Sequence, residues 1–203
     1  KIVVSGFYYN GSDVDVALLR YNTDGSLDTT FSGDGLVTTD IGGSTDRGNG
    51  VAIQPDGKIV VAGQTYNGSG YDFAVVRYNS DGSLDTTFDS DGMVTTDFAG
   101  GFDICQDVVI QSDGRIVVAG DSDHDFAVVR YNTDGSLDTT FNGDGMVTTD
   151  IGGASDFGLD VVTQSDGKIV VAGQSGSGQG YFAVIRYNID CSLDTSFSGD
   201  GIV

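Results

Sequence analysis

Aspartate is the one side chain abundant enough, and regularly enough spaced, to do chemistry in this sequence. All 30 acidic residues are Asp, set against nine Lys and Arg, for a net charge of −21. Asn22, Asp24, Ser26 and Asp28 place oxygens at alternate positions, as calcium loops do, and the pattern returns from Asn79, Asn132 and Asn188. Calcium takes about six to eight oxygen ligands, and Asp34 can return to the same place. The candidate metal ligands are therefore Asp24, Asp28 and Asp34, then Asp81, Asp85 and Asp91, then Asp134, Asp138 and Asp144. The glycine stands at the wrong position for an EF-hand, and no Glu closes the loop. Turn chemistry is the competing reading, because Asp tolerates left-handed geometry and bonds its own backbone.

The remaining candidates sit in one segment of variable length, which reads GFYYNGSDVDV, GQTYNGSGYDF, GDSDHDF and GQSGSGQGYF in turn. Tyr8, Tyr9, Tyr66, Tyr71 and Tyr181, with Phe7, could stack on sugar rings or on a protein partner; as plain aromatic caps they would do neither. His124, among Asp121, Asp123 and Asp125, is the one His–carboxylate cluster: a ligand-binding or basic group, or a solvated loop histidine. No serine-nucleophile elbow, phosphate-binding glycine loop or Cys-x-x-Cys pair is present. Cys105 and Cys191 are two stray thiols, expected in a connector and a turn at opposite ends of their units.

The elements that must position these groups follow from internal repetition. KIVVSG at Lys1 recurs as KIVVAG at Lys58, RIVVAG at Arg115 and KIVVAG at Lys168. LLRYNTDGSLDTTF from Leu18 returns from Val75, Val128 and Val184, and VAIQPDGK from Val51 returns from Val108 and Val161. Val, Ile, Phe, Tyr and Thr clusters bounded by Asp-Gly turns are the signature of strands and hairpins. Strands are expected near 51–54, 58–62, 72–79 and 92–96 and at their repeats, with no helix beyond a turn. Four-stranded units too small to bury a face alone point to an all-β propeller of antiparallel blades, with a β-solenoid as the alternative. The units are 1–49, which lacks the first strand, then 50–106, 107–159 and 160–203. Fifteen strands make about four blades, an incomplete ring that further repeats or a second copy would complete.

Composition narrows the function. A polyanion would be repelled by this charge, so nucleic acid is excluded as a partner. No apolar run approaches the roughly 20 residues that insert across a bilayer as a helix. Repeat-locked Arg20, Arg77, Arg130 and Arg186 read as interblade struts with bidentate Asp partners. At the channel entry stand Gly50, Asp107 and Asp160, with Asp46, Asp103 and Asp156 just upstream, an acidic set without a distinct base that suits an ion better than a reaction.

The combination IVVAG, DFAVVRYN, DGSLDTTFxxDG and VxxQxDGK resembles the delta-60 repeat of bacterial proteins, over essentially the whole chain. Two departures stand out: Cys191 replaces the turn glycine of Gly25, Gly82 and Gly135, and Tyr181 replaces the Asp that opens the third strand elsewhere. The resemblance implies a propeller and an extracellular or cell-surface protein, and it supplies no catalytic residues. The expected function is a non-catalytic scaffold, stabilised by calcium, that binds carbohydrate or protein, self-associates, or joins further repeats of a longer chain. The alternatives are a propeller hydrolase or lyase with a metal-assisted site at the channel mouth, and a structural filament subunit.

Overall fold

The computed structural model describes residues 1–42, 45–98, 100–152, 155–176 and 180–203. The strands in chain order are β1 (Ile2–Tyr9), β2 (Val14–Tyr21), β3 (Leu36–Thr39), β4 (Asp46–Ile53), β5 (Ile59–Tyr66), β6 (Tyr71–Tyr78) and β7 (Met93–Thr96). They continue as β8 (Asp103–Ile110), β9 (Ile116–Ser122), β10 (Asp125–Tyr131), β11 (Met146–Thr149), β12 (Asp156–Thr163), β13 (Ile169–Ser175) and β14 (Tyr181–Tyr187). They form four meanders, β1-β2-β3, β4-β5-β6-β7, β8-β9-β10-β11 and β12-β13-β14, all with antiparallel neighbours. The fold is all-β, four antiparallel sheets, and no helix occurs among the described residues. The fifteenth expected strand is one bridge, Ile202 to Ile185, closed by reciprocal Val184–Val203 hydrogen bonds of 2.8 and 2.9 Å.

Repeat chemistry explains each turn. Asp24 Oδ1 accepts from the Ser26 N–H at 3.0 Å and the Ser26 hydroxyl at 2.7 Å, and Gly25 next to it takes a φ of +85°. Cys191, at the equivalent position, is forced to +81°, a region that costs an L side chain roughly 1–2 kcal/mol. The first strand of each unit starts earlier than 51: β4 opens at Asp46, and its register shifts between Gly48 and Gly50 opposite β5. The polar, glycine-rich run DRGNG has the composition of a connector, yet a bulge lets it pair. Cys105 accordingly lies inside β8, fully buried, and not in a connector.

The chain divides into two compact bodies, Lys1–Cys105 and Gln106–Val203. In the first, Val16, Leu18 and Phe31 of one repeat pack with Ile59, Val61, Val76 and Tyr78 of the next. Tyr78 also shares a 2.7 Å hydroxyl bond with Thr39, and burial pushes its phenol up to about 12. In the second, Val117, Ala119, Phe126 and Val128 pack with Val161, Val171, Ile185 and Tyr187. Burying such apolar faces supplies about 25 cal/mol per Å². Each core is thus built from two sheets, and neither sheet has one without its neighbour.

Candidate metal centre

The nine Asp expected to hold calcium have other occupations. Asp24, Asp81 and Asp134 each cap a serine two residues on, with hydroxyl distances of 2.7 Å. Asp34, Asp91 and Asp144 accept the backbone N–H that opens the next strand, at 2.9, 2.9 and 3.0 Å. Asp28, Asp85 and Asp138 are buried and ion-paired. Arg20, Arg77 and Arg130 donate through Nε at 2.7 Å to the Asp of their own repeat. Lys1, Lys58 and Arg115 reach the same carboxylates at 3.0, 2.9 and 2.9 Å. The fourth repeat copies this with Asp194, Arg186 and Lys168. These pairs are not bidentate, since the second guanidinium nitrogen goes to a hydroxyl, that of Thr30 for Arg20, Thr140 for Arg130 and Ser196 for Arg186. The reach to an adjoining sheet ends on a backbone carbonyl, Ser80 for Arg20 and Ile189 for Arg130.

The carboxylates that do converge are different ones. Asp15, Asp40 and Asp46 bring oxygens within 4.8 Å of one another, as do Asp72, Asp97 and Asp103, and Asp125, Asp150 and Asp156. Members of each triad stand 25 and 6 positions apart in sequence. The first opens the third strand of a repeat, the second follows its last strand, and the third opens the next repeat. Each triad grades from a buried end at Asp46, Asp103 or Asp156 to an exposed one at Asp40, Asp97 or Asp150. These buried triads could hold a metal ion.

Hydrogen bonds fix the members from below. The Ile41 N–H donates to Asp46 Oδ2 at 2.7 Å, Phe98 N–H to Asp103 Oδ2 at 2.9 Å, and Ile151 N–H to Asp156 Oδ2 at 2.8 Å. Gly42 and Gly152 N–H groups hold Asp40 and Asp150 by Oδ1 at 2.8 Å. Asn10 and Asn67 amides orient Asp15 and Asp72. Oδ1 of Asp46 and Oδ1 of Asp156, on side chains 1% and 0% exposed, have no hydrogen-bond partner.

Electrostatics separates the two ends of each sheet. Burial lifts the Asp46 carboxyl above its ordinary value, Asp40 and Asp15 push the same way, and the Thr65 hydroxyl and Ile41 N–H pull against them. Burial also lifts Asp125, together with the charges of Asp150, Asp156 and Asp123. The paired set moves oppositely. The Thr30 hydroxyl, then Lys1 and Arg20, hold Asp28 well below the carboxylate range, and at Asp85 burial is outweighed by Lys58, Thr87 and Arg77.

The aromatic candidates lie mostly on strands. Tyr8 and Tyr9, with Phe7, end β1 and are exposed. Tyr66 and Tyr71 pair across β5 and β6, with ring centroids 5.3 Å apart, and Tyr71 also meets Phe102 at 6.0 Å. Tyr181 opens β14 and is 79% exposed. His124 is the tip of a two-residue hairpin with Asp123, both at positive φ as a type I′ turn requires. Its carbonyl accepts the Asp156 N–H at 2.6 Å, and its ring lies edge-on to Phe157. Asp107 and Asp160 are neighbours, and burial followed by Asp160 raises the Asp107 carboxyl. Both cysteines are buried, and burial pushes the thiol of Cys191 up to about 12.

Sequence reasoning set Asp46, Asp103 and Asp156 apart and noted the Asp that Tyr181 replaces, without joining the two to Asp40, Asp97 and Asp150. The constant 25-and-6 spacing was the signal available.

The family described as a domain of unknown function (DUF5122) beta-propeller matches residues 1–31, 54–88, 111–141 and 164–197. Among solved structures, a protein of unknown function from Bacteroides caccae is similar at 13% identity, with a TM-score of 0.41, covering 95% of this chain and 82% of that one. An endo-1,4-beta-xylanase from Bacteroides thetaiotaomicron is similar at 11% identity and the same TM-score, covering 90% and 66%. No curated protein matches.

Proposed function

The chain belongs to the DUF5122 β-propeller family, and from that premise we propose that it is a non-catalytic binding and assembly scaffold of an extracellular or cell-surface protein, stabilised by calcium. The observation that carries this reading is a bare sheet face in the last repeat. Phe126 of β10 is 0% exposed, packed beneath the sheet that follows it in the second body, whereas Phe182, at the same repeat position in β14, is 99% exposed. Leu159 and Val162 of β12, in the same sheet, are exposed as well. Contiguous exposed apolar surface marks an interaction site, and the packing at Phe126 says what such a face accepts: another sheet of the same kind. A second copy of the chain or further repeats supply one. Calcium suits the acidic triads because they offer only hard oxygen donors. Tyr8, Tyr9 and Tyr181 are exposed tyrosines available to a carbohydrate or protein ligand.

Sedimentation velocity across about a hundredfold range of concentration tests the assembly. Association that strengthens with concentration and is lost in Phe182→Asp supports it. A monomer throughout the range, unchanged by the substitution, rejects self-association.

A further inference from the structure

The scaffold reading leaves open where the cation sits, and the geometry is specific. We propose that Asp15–Asp40–Asp46, Asp72–Asp97–Asp103 and Asp125–Asp150–Asp156 are three calcium sites, and that the fourth repeat has none. This assignment rests on the calcium reading above and names the residues that carry it.

Size comes first. Calcium binds oxygen at about 2.3–2.6 Å, so two ligands on opposite sides of one ion stand at most about 5 Å apart. The triad oxygens lie within 4.8 Å of one another, which places all of them inside one coordination shell.

Unmet bonding comes second. A buried carboxylate oxygen without a donor costs on the order of 1–3 kcal/mol, and more when charged. Oδ1 of Asp46 and Oδ1 of Asp156 are in that condition, while Oδ2 of each is tied to a backbone N–H. An ion between the carboxylates satisfies the idle oxygen directly. The exposed members, Asp40 and Asp150, leave the outer side open for water to complete the shell.

Charge comes third. Three carboxylates this close need counter-charge, and the basic side chains are committed elsewhere. Lys1 and Arg20 pair with Asp28, Lys58 and Arg77 with Asp85, Arg115 and Arg130 with Asp138, Lys168 and Arg186 with Asp194. Arg47, the ninth, lies over the Phe7 ring at 5.0 Å.

The ion type follows from the donors. All are carboxylate oxygens, hard donors of the kind that suit calcium, magnesium and manganese, with none of the imidazole or thiolate that favours zinc or copper. The ligands come from two strand ends and a connector, a flexible set that suits calcium better than the strict octahedron of magnesium. At Asp15–Asp40–Asp46 and at Asp125–Asp150–Asp156, two ligands come from one repeat and the third opens the next sheet, so the ion ties neighbouring sheets together. In the fourth repeat Tyr181 takes the position of Asp15, Asp72 and Asp125, which removes the first ligand.

The test is isothermal titration of the chelator-stripped 203-residue chain with calcium chloride, with magnesium chloride in parallel. The expected result is three calcium ions per chain, with magnesium at least about tenfold weaker. Asp40→Asn and Asp150→Asn are the decisive variants, because both positions are exposed and an Asn oxygen still caps Gly42 or Gly152. Together they should reduce the count to one without altering the circular dichroism spectrum. Asp34→Asn should leave it at three. Calcium binding that Asp40→Asn and Asp150→Asn do not reduce overturns the site assignment while the calcium reading stands. No calcium binding at all overturns both.

Discussion

Phe126 and Phe182 occupy the same position of two repeats, so truncating each measures what the junction between sheets is worth. Phe126 is wholly buried against two glycines: a Cβ added at Gly173 would lie 2.9 Å from its Cζ, and one at Gly158 3.3 Å from its Cδ1. Glycines have no side chain to move into the space that Phe126→Ala would open. The cost therefore belongs in the upper part of the range for such truncations, about 4 kcal/mol. For a chain of this size that lowers Tm by roughly 8–16 °C. Phe182→Ala removes a ring that is 99% exposed and should cost within about 0.5 kcal/mol in dilute solution. Urea titration followed by tyrosine fluorescence suits a chain with nine Tyr and no Trp. Equal losses in the two variants, or a loss below about 1 kcal/mol for Phe126→Ala, would refute the claim that the sheet junction holds the fold. A cost for Phe182→Ala that grows with concentration would report the same contact forming between molecules.

Three further outcomes follow from the same contacts. Gly63→Ala would place a Cβ 1.8 Å from the Arg47 carbonyl and should cost about 3 kcal/mol, whereas Gly6→Ala meets nothing within 4 Å and should cost within about 0.5 kcal/mol; thermal melts of both variants check the contrast. Asp107→Asn should stabilise at neutral pH, since burial and Asp160 already raise that carboxyl, and an unchanged or lowered Tm contradicts the reading. In chelator, Tm should rise as pH falls from 7, because the raised carboxyls of Asp46 and Asp125 take up protons in the folded state first. It should then drop below about pH 4, where Asp28, Asp85, Asp138 and Asp194 lose ion pairs that depress their folded values. A steady fall from pH 7, with no maximum, would show that the triads carry no repulsion.

Strand identity was legible because the repeat fixes the turns: the glycines of the recurring Asp-Gly pairs, Gly25, Gly35 and Gly57 among them, take positive φ. Strand starts were less so. The run DRGNG has loop composition and becomes a strand only because a bulge absorbs its extra residue and the adjoining sheet covers it, a tertiary effect invisible to local pattern. The metal set shows a sharper limit. Alternation of oxygens from Asn22 to Asp28 has the look of a calcium loop, but Arg20 and Lys1 arrive from other strands and occupy Asp28 first. Convergence of Asp15, Asp40 and Asp46 depends on two sheets meeting, so the spacing alone carried the information and the geometry did not.

The two sets of Asp are halves of one charge arrangement. The pairing of β1 with β2 sets Ile2 opposite Tyr21 at one end and Tyr9 opposite Val14 at the other. Lys1, Arg20 and Asp28 gather at the first end, Asp15 and Asp40 at the second, and the later repeats follow suit. Arg20, Arg77, Arg130 and Arg186 each lie 4.5–4.6 Å over a Phe ring of their own repeat, with their Asp alongside, so the buried carboxylate at that end is answered within the protein. Each of the first three copies brings one buried Asp with its own ion pairs and one acidic triad. The basic residues that come with each copy go to its buried Asp, so counter-charge for the triad has to come from outside the chain. At each of the three triads, the divalent ion proposed above would supply it as one particle, on oxygens within 4.8 Å of one another.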